Sequence, residues 1–495
     1  MRLLATALLA LAGSGCVLHG PRPIPPVADL KAPAIGPSKS LQPVAWWESL
    51  GDPKLNSTVK AVLATNLDLH AIDQQLNQQR ALVRLRRAGM LPQVNLAVNG
   101  NFQPGQVMEF NLPPIPGFEP PAQPEDPYAV SLTSQFSLAY EADLFGRLRH
   151  GKAAAEADLM AAQADRQTTA LLLAGRTVEL YLAAIEARAQ LKQLEVSLEL
   201  QEKQLALLQN RHQKGLGDLL AVHQQEQLIA TTHAQVPLLK NRLASAALQL
   251  AALQGETRTV PGALGLRLDF PVPEALPADG LSAELILRRP DVAAAVSRLR
   301  SADHRLGEAL VARYPSLRIQ ANAGLGIAPN SPTGVELADL GEAIGDDLRN
   351  IFDNPGEQMA WNIGGALSVP LFSGGRVKAQ IETAQAGYRA LALRYRKTVV
   401  EAVVEMSNAM AAENSQRAYI KRLEAQAKAV RATRDLALAR YGDGLIGYQS
   451  YLQAELSLNQ VTRSLISARR QLVSHRVTLM RAIAGPVSSP KGGRQ

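Results

Sequence analysis

The sequence predicts a mainly α-helical chain with a membrane β-barrel portion, in which one structural plan is written twice. Three observations carry that prediction. Landmarks recur: Leu91-Pro92-Gln93-Val94 against Tyr314-Pro315-Ser316-Leu317, and Leu144-Phe145-Gly146-Arg147 against Leu371-Phe372-Ser373-Gly374-Gly375-Arg376. A third pair sets Arg211-His212-Gln213-Lys214-Gly215-Leu216 against Arg440-Tyr441-Gly442-Asp443-Gly444-Leu445. Their offsets all lie near about 225 residues, which marks a duplication. Two proline-free spans, Arg147 to Asn210 and Arg376 to Arg440, would each run to roughly 100 Å as helices, far beyond a globular helix. Four segments of about ten to thirteen residues alternate apolar and polar side chains, as strands between lipid and water do.

In chain order, residues 1–15 read as an export signal. Arg2 supplies the positive start, Leu3 to Ala12 the apolar run, and Gly13-Ser14-Gly15 the small residues before the cut. The segment resembles a bacterial lipoprotein signal, which would make Cys16 the acylated first residue. An ordinary signal leaving a free Cys16 thiol is the alternative. No other stretch approaches roughly eighteen continuous apolar residues, so no membrane-crossing helix is expected. Residues 16–52 form an N-terminal linker. The first repeat covers 53–254, an inter-repeat segment 255–280, the second repeat 281–485 and a tail 486–495.

Each repeat begins with a helix, Pro53 to Gly89 and Leu281 to Ala312, and continues into two strands. Val94, Leu96, Val98 and Phe102 oppose Asn95, Asn99 and Asn101. Tyr128, Val130, Leu132, Phe136, Leu138 and Tyr140 oppose Ser131, Thr133, Gln135 and Ser137. In the second repeat Leu317, Ile319, Ala321, Ala323 and Leu325 oppose Arg318, Gln320 and Asn322, and Trp361, Ile363, Leu367, Val369 and Leu371 oppose Asn362 and Ser368. Asn95, Asn99, Gln135 and Gln320 are expected on the water side. Aromatic rings stand near the strand ends, where a membrane interface favours them. Four strands cannot close a barrel, and open edges in lipid cost several kcal/mol per unpaired backbone group. Copies must therefore supply closure: two give eight strands with a filled interior, three give twelve with a passage. The connections Pro104 to Pro127 and Ala328 to Gln358 read as outward surface loops.

Leu180, Ala184, Ala187, Leu191, Leu194, Leu198, Leu205 and Leu208 on the first long helix, and Leu458, Val461, Leu465, Leu472 and Leu479 on the last helix, follow 3-4 spacing suited to coiled-coil packing, and each long helix then reverses. It turns at Gly215-Leu216-Gly217 or Gly442-Asp443-Gly444 and returns through Asp218 to Leu253 or Gly447 to Ala484. The glycines suit positive φ at helix ends. These turns read either as plain helical hairpin turns or as a far tip that docks another protein and narrows to a gate, with Tyr441, Tyr448 and Tyr451 as contact anchors.

Charged residues make up 19% and the net charge is +8, but lysines and arginines are dispersed with no aromatic-basic cluster, which argues against nucleic acid. With one cysteine no intrachain disulfide exists. The eight histidines form no HExxH or Cys/His set, and His223 and His233 lie too far apart on one helix to pair on a metal. No Walker A motif, nucleophile elbow or carboxylate pair is visible. Ala323-Gly324-Leu325-Gly326 closes a strand and lacks the rest of a dinucleotide fingerprint. The reading is a non-enzyme with no cofactor and no metal.

The chain resembles the TolC-like outer membrane factor family, in its NodT-type efflux lipoprotein branch. The resemblance rests on Cys16, Trp46-Trp47, Tyr140-Glu141-Ala142-Asp143-Leu144-Phe145-Gly146-Arg147, Arg288-Arg289-Pro290-Asp291-Val292 and Val369-Pro370-Leu371-Phe372-Ser373-Gly374-Gly375-Arg376. It implies a homotrimer with a twelve-stranded outer-membrane barrel, a periplasmic α-barrel and an equatorial collar, here Pro43 to Gly51, Gln254 to Gly280 and the tail. It also implies a periplasmic membrane-fusion adaptor and an inner-membrane RND-type pump as partners. Adaptor docking would fall to Arg211, Gly215, Leu216, Gly217, Arg440, Tyr441, Gly444 and Leu445. The tip constriction would fall to Asp218, Asp443, Tyr448, Ser450 and Gln453. Relatives often carry aspartates where Ser450 and Gln453 stand, so an acidic ring at those two positions is not expected. The function implied is a passive efflux duct for small molecules. The alternatives are the duct of a type I protein secretion system and a pore-less, lipid-anchored coiled-coil scaffold.

Overall fold

A computed structural model describes residues 19–20, 22–23, 45–104, 128–257, 269–270, 284–327, 342, 345–346, 349 and 359–483. The signal, Cys16, nearly all of both strand-linking loops, most of 255–280 and the tail lie outside the described residues, as do the side chains of Tyr128, Val130, Ser131 and Leu132. The elements are α1 (Pro53–Thr65), α2 (Leu67–Ala88), β1 (Gln93–Pro104), β2 (Tyr128–Ala142), α3 (Arg147–Gln213), α4 (Leu219–Leu253), α5 (Glu284–Leu287), α6 (Pro290–Val311), β3 (Ser316–Ile327), β4 (Met359–Ser368), α7 (Arg376–Gly442) and α8 (Tyr448–Ile483). A 3₁₀ turn at Trp46–Leu50 precedes α1. The described residues are mostly helical with one antiparallel sheet, and the chain forms two compact units.

The first unit holds the sheet, in the order β1-β2-β3-β4. Alternation in the sequence becomes a two-faced sheet because the pairing is in register: Leu96 opposes Phe136, Phe136 opposes Ala323, and Ala323 opposes Trp361. One residue along, Asn95, Ser137, Asn322 and Asn362 form the matching polar row, with Asn322 Nδ2 donating to Asn362 Oδ1 at 3.0 Å. A slip of one residue would put every apolar side chain on the wrong face. Gly324 permits the close approach of β2, since a Cβ there would stand 2.8 Å from the Ser134 carbonyl oxygen. In the same unit His19 and Arg22 are fastened to α6. Asp303 accepts from the Arg22 amide at 3.0 Å and is hydrogen-bonded to His19 Nε2 at 3.1 Å.

The second unit contains α4, α8 and the parts of α3 from Ala157 and of α7 from Arg389 that form hairpins with them. Its main core joins both repeats: Trp46, Trp47 and Leu55 pack with Tyr181, Leu182 and Ile185 of α3, Met406 of α7, and Val477, Leu479 and Ile483 of α8. Burying each large side chain contributes about 1.5–3 kcal/mol. Asp52 caps α1, accepting from Lys54 N and Leu55 N, and its second oxygen accepts the Tyr181 hydroxyl at 3.0 Å. The 3-4 seam is buried at Leu180, Ala184, Ala187, Leu194, Leu198 and Leu208. α4 runs through Pro237 without a break.

The structure departs from the predicted elements in four places, the first being β4, which ends at Ser368, short of Val369 and Leu371. The helix expected over Pro53 to Gly89 is broken at Asn66, whose backbone is extended. Its side chain accepts from Asp68 N and Leu69 N, capping α2, and donates to Leu253 O at 2.8 Å. A side chain able to satisfy backbone amides locally competes with continued helix. The helix expected over Leu281 to Ala312 is likewise divided before Pro290, which has no amide proton to continue it. Arg289 holds that break, bonding Asp291, Glu405 and Ala482 O. Finally, α3 does contain a window long and apolar enough to cross a membrane. Of that window 61% is buried inside the protein, the position of a core helix.

Candidate functional site

Two features stand out: a sheet with an uncovered apolar face, and a pair of joined hairpin tips. On the sheet Trp361 is 70% exposed, Ile363 71%, Leu96 57% and Phe136 55%. Soluble proteins bury such a face, and a contiguous apolar surface left open marks contact with lipid or another chain. β1 and β4 each present one edge with no strand partner among the described residues. The polar face carries Asn95, Asn99, Gln135 and Gln320, where the alternation places them.

The tips are two copies of one turn. In the first hairpin Leu216 N donates to Arg211 O and Gly215 N to His212 O, both at 2.8 Å, with Gly215 at φ +72°. In the second, Leu445 N donates to Arg440 O at 2.9 Å and Gly444 N to Tyr441 O at 3.1 Å, with Gly444 at φ +76°. This is the Schellman termination, in which a left-handed glycine lets the chain satisfy the last carbonyls and leave the helix. It projects Leu216 and Leu445 outward, 69% and 71% exposed. Asp218 caps α4 by accepting from Leu220 N at 2.9 Å, and Gly217 O is bonded to His212 Nδ1. The Arg211 guanidinium lies over the Tyr441 ring at 5.5 Å, and Arg440 and Asp443 are exposed.

The expected gate residues do not share one environment. Tyr448 is buried, 5% exposed, inside the contact between the hairpins. Its hydroxyl donates to Gln225 Oε1 of α4, and Gln225 Nε2 donates to Gln201 O at 2.6 Å. Tyr441 and Tyr451 flank the Tyr448 ring at 5.2 and 5.6 Å. Tyr448 therefore joins two helices of this chain instead of facing open space. Ser450 and Gln453 are exposed and continue along α8 into exposed Ser457 and Gln460, an uncharged polar stripe at helical spacing.

Glu455 and Arg434, which no turn or repeat signal marks in the sequence, set the electrostatics behind the tip tyrosines. Glu455 is 8% exposed, and burial pushes its carboxyl above the ordinary range, opposed by Arg434 and a hydrogen bond from Asn459. Arg434 Nε lies 3.7 Å from Glu455 Oε2. Burial, with Glu455 nearby, lifts Tyr451 to about 12, and burial also raises Tyr448 and Tyr441. One signal for Gln225 was available: it interrupts the otherwise apolar buried stripe Ala221, Val222 and Leu228. His223 and His233 sit beside Glu226 and Glu202, and the described residues contain no cluster suited to a metal ion. Cys16 lies outside the described residues.

Comparison with known proteins gives a consistent answer. The sequence profile of a family described as Outer membrane efflux protein matches twice, over residues 58–256 and 281–485. The chain is 26% identical over 463 residues to the pyoverdine export outer membrane protein OpmQ of Pseudomonas putida, covering 93% of this chain and 92% of that one. It is 24% identical over 479 residues to the probable outer membrane lipoprotein SilC of Salmonella typhimurium, covering 95% and 96%. Among solved structures, the outer-membrane channel OprN superposes with a TM-score of 0.79 at 25% identity, covering 96% of this chain and 100% of that one.

Proposed function

We propose a function from this premise: the chain belongs to the outer membrane efflux protein family. It is an efflux channel of the outer membrane. In our reading it works as a homotrimer, a passive exit duct that receives small molecules from an inner-membrane RND-type pump through a periplasmic membrane-fusion adaptor. The observation that carries the reading is the four-stranded sheet with one apolar face uncovered and both edges open. β1 and β4 run antiparallel, because three antiparallel pairings separate them. The β4 edge of one copy can therefore take the β1 edge of the next in the same antiparallel sense, and rotation closes the ring. Three copies make twelve strands, enough for a passage, whereas eight would fill with side chains.

The mechanism follows from the two faces. Lipid meets Trp361, Ile363, Leu96 and Phe136, and water in the lumen meets Asn95, Asn322 and Asn362. Solute moves down the path that the pump loads, so the duct needs no catalytic group of its own. Adaptor docking is assigned to the paired Schellman turns, with Leu216 and Leu445 as apolar contacts beside Arg211, Tyr441 and Arg440, and Gly215, Gly217 and Gly444 setting the turn. The constriction is assigned to exposed Ser450, Gln453, Asp218 and Asp443, with Tyr448 holding the hairpins together behind them. Cys16 is assigned as the lipid anchor.

Deletion of the gene followed by a broad drug, metal and solvent susceptibility panel tests the efflux reading. Hypersensitivity to at least one class is expected, and an unchanged panel counts against it. Purified protein should run as a heat-modifiable trimer; a monomer in detergent with a protected sheet would refute the shared barrel. Fatty-acid labelling should disappear in Cys16→Ala.

A further inference from the structure

Resting on the duct reading, we propose that the lumen wall carries an anion-selecting station formed by Arg318 and Arg376, which favours solutes bearing carboxylate or phosphate groups. A cavity of about 510 Å³ lies in the first unit where the strands meet the ends of α3 and α7, and its polar lining includes Glu141, Arg147, Ser316, Arg318, Ser368 and Arg376. Glu141 opposes Arg318 across β2 and β3, and Ser316 opposes Ser368 across β3 and β4. These four positions belong to the polar face that also holds Asn95, Ser137, Asn322 and Asn362. The cavity is therefore on the water side of the wall, opposite Trp361 and Ile363.

Charge is unevenly satisfied there. Glu141 accepts two hydrogen bonds from Arg147, at 3.1 and 2.7 Å. Asp143, the other carboxylate lining the cavity, accepts the amides of Leu148 and Arg149 at the start of α3 and is ion-paired with Arg149 at 3.3 Å. Both carboxylates are thus engaged by the first long helix. Arg318 and Arg376 are exposed, and neither has a carboxylate within ion-pairing distance among the described residues. Every copy in a ring would repeat this pair of unneutralised cations. Guanidinium groups present a planar fork of donors that fits carboxylate and phosphate oxygens, and arginine rings in pores select anions. A lipid headgroup offers the same phosphate chemistry, but it approaches from the apolar side of the wall.

The test uses the full-length protein in bilayers of purely zwitterionic lipid under a KCl gradient. Wild type is compared with Arg318→Gln/Arg376→Gln and with Arg318→Lys/Arg376→Lys. The glutamine pair should lower the chloride-to-potassium permeability ratio by about threefold or more, as loss of a potential on the order of one kT would. Block by inorganic pyrophosphate should weaken with it, and the lysine pair should keep most of both. Equal ratios and equal pyrophosphate block in wild type and the glutamine pair would overturn the station and leave the duct standing. A difference that appears only when anionic lipid is added would assign the arginines to headgroups and overturn it too. No conductance from any version would refute the duct reading first.

Discussion

Tyr448 and Gln225 make the sharpest quantitative prediction about the tip. Tyr448→Phe keeps the ring, and with it the packing against Tyr441 and Tyr451, but removes the donor to Gln225 Oε1. Gln225 is 1% exposed and its amide nitrogen stays tied to Gln201 O, so the orphaned oxygen has no water to turn to. A buried acceptor left without a partner costs about 1–3 kcal/mol. Gln225→Leu alone strands the Tyr448 hydroxyl and should cost a similar amount. The double variant replaces both polar partners and should cost less than the two single changes combined, giving a coupling of about 0.5–3 kcal/mol. Two assays read this. Denaturant unfolding gives the cycle directly, and hydrogen exchange at the tip amides should rise by roughly 5–150-fold in each single variant, the range that 1–3 kcal/mol spans. If the tip holds the duct shut, conductance of single variants rises with exchange. Purely additive losses, or exchange unchanged in Tyr448→Phe, would refute the reasoning that this bond ties the hairpins.

Other predictions concern the sheet, the helix breaks and pH. Gly324→Ala places a Cβ 2.8 Å from the Ser134 carbonyl oxygen, a backbone atom that cannot swing aside, and should lower stability by about 1–3 kcal/mol and reduce trimer yield on gels. Asn66→Ala removes the cap of α2 and should cost about 1 kcal/mol in denaturant unfolding. His150 is held below its ordinary value of 6.5 by burial first, then by His304 and His19, with Asp143 and Asp303 opposing. The native state therefore favours the neutral ring. Above 6.5 both folded and unfolded chains keep it neutral, and as pH falls through 6.5 the unfolded chain takes the proton first, so stability drops until the lower folded value is passed. Melting temperature should fall between neutral pH and pH 5.5 in wild type and fall less in His150→Gln. An equal fall in both would place the pH dependence elsewhere.

Local rules made much of this molecule readable without coordinates. Period two in β1 to β4 decided which side chains share a face, because alternation is built into extended backbone. The absence of proline set α3 and α7, the 3-4 seams marked α3 and α8, and Gly215 and Gly444 marked the turns because a left-handed residue ends each long helix there. Recurrence of these signals announced the duplication. Tertiary structure decided what pairs with what. The break at Asn66 begins as a local cap, but the partner of its amide nitrogen is a carbonyl at Leu253, far along the chain. The burial of Tyr448 depends on Gln225 standing opposite it on another hairpin. The freedom of Arg318 depends on Arg147 having taken Glu141, its cross-strand neighbour. Backbone conformation is governed by neighbours within a few residues, so sequence pattern carries it. The satisfaction of a polar or charged group is a competition among partners brought together only by folding.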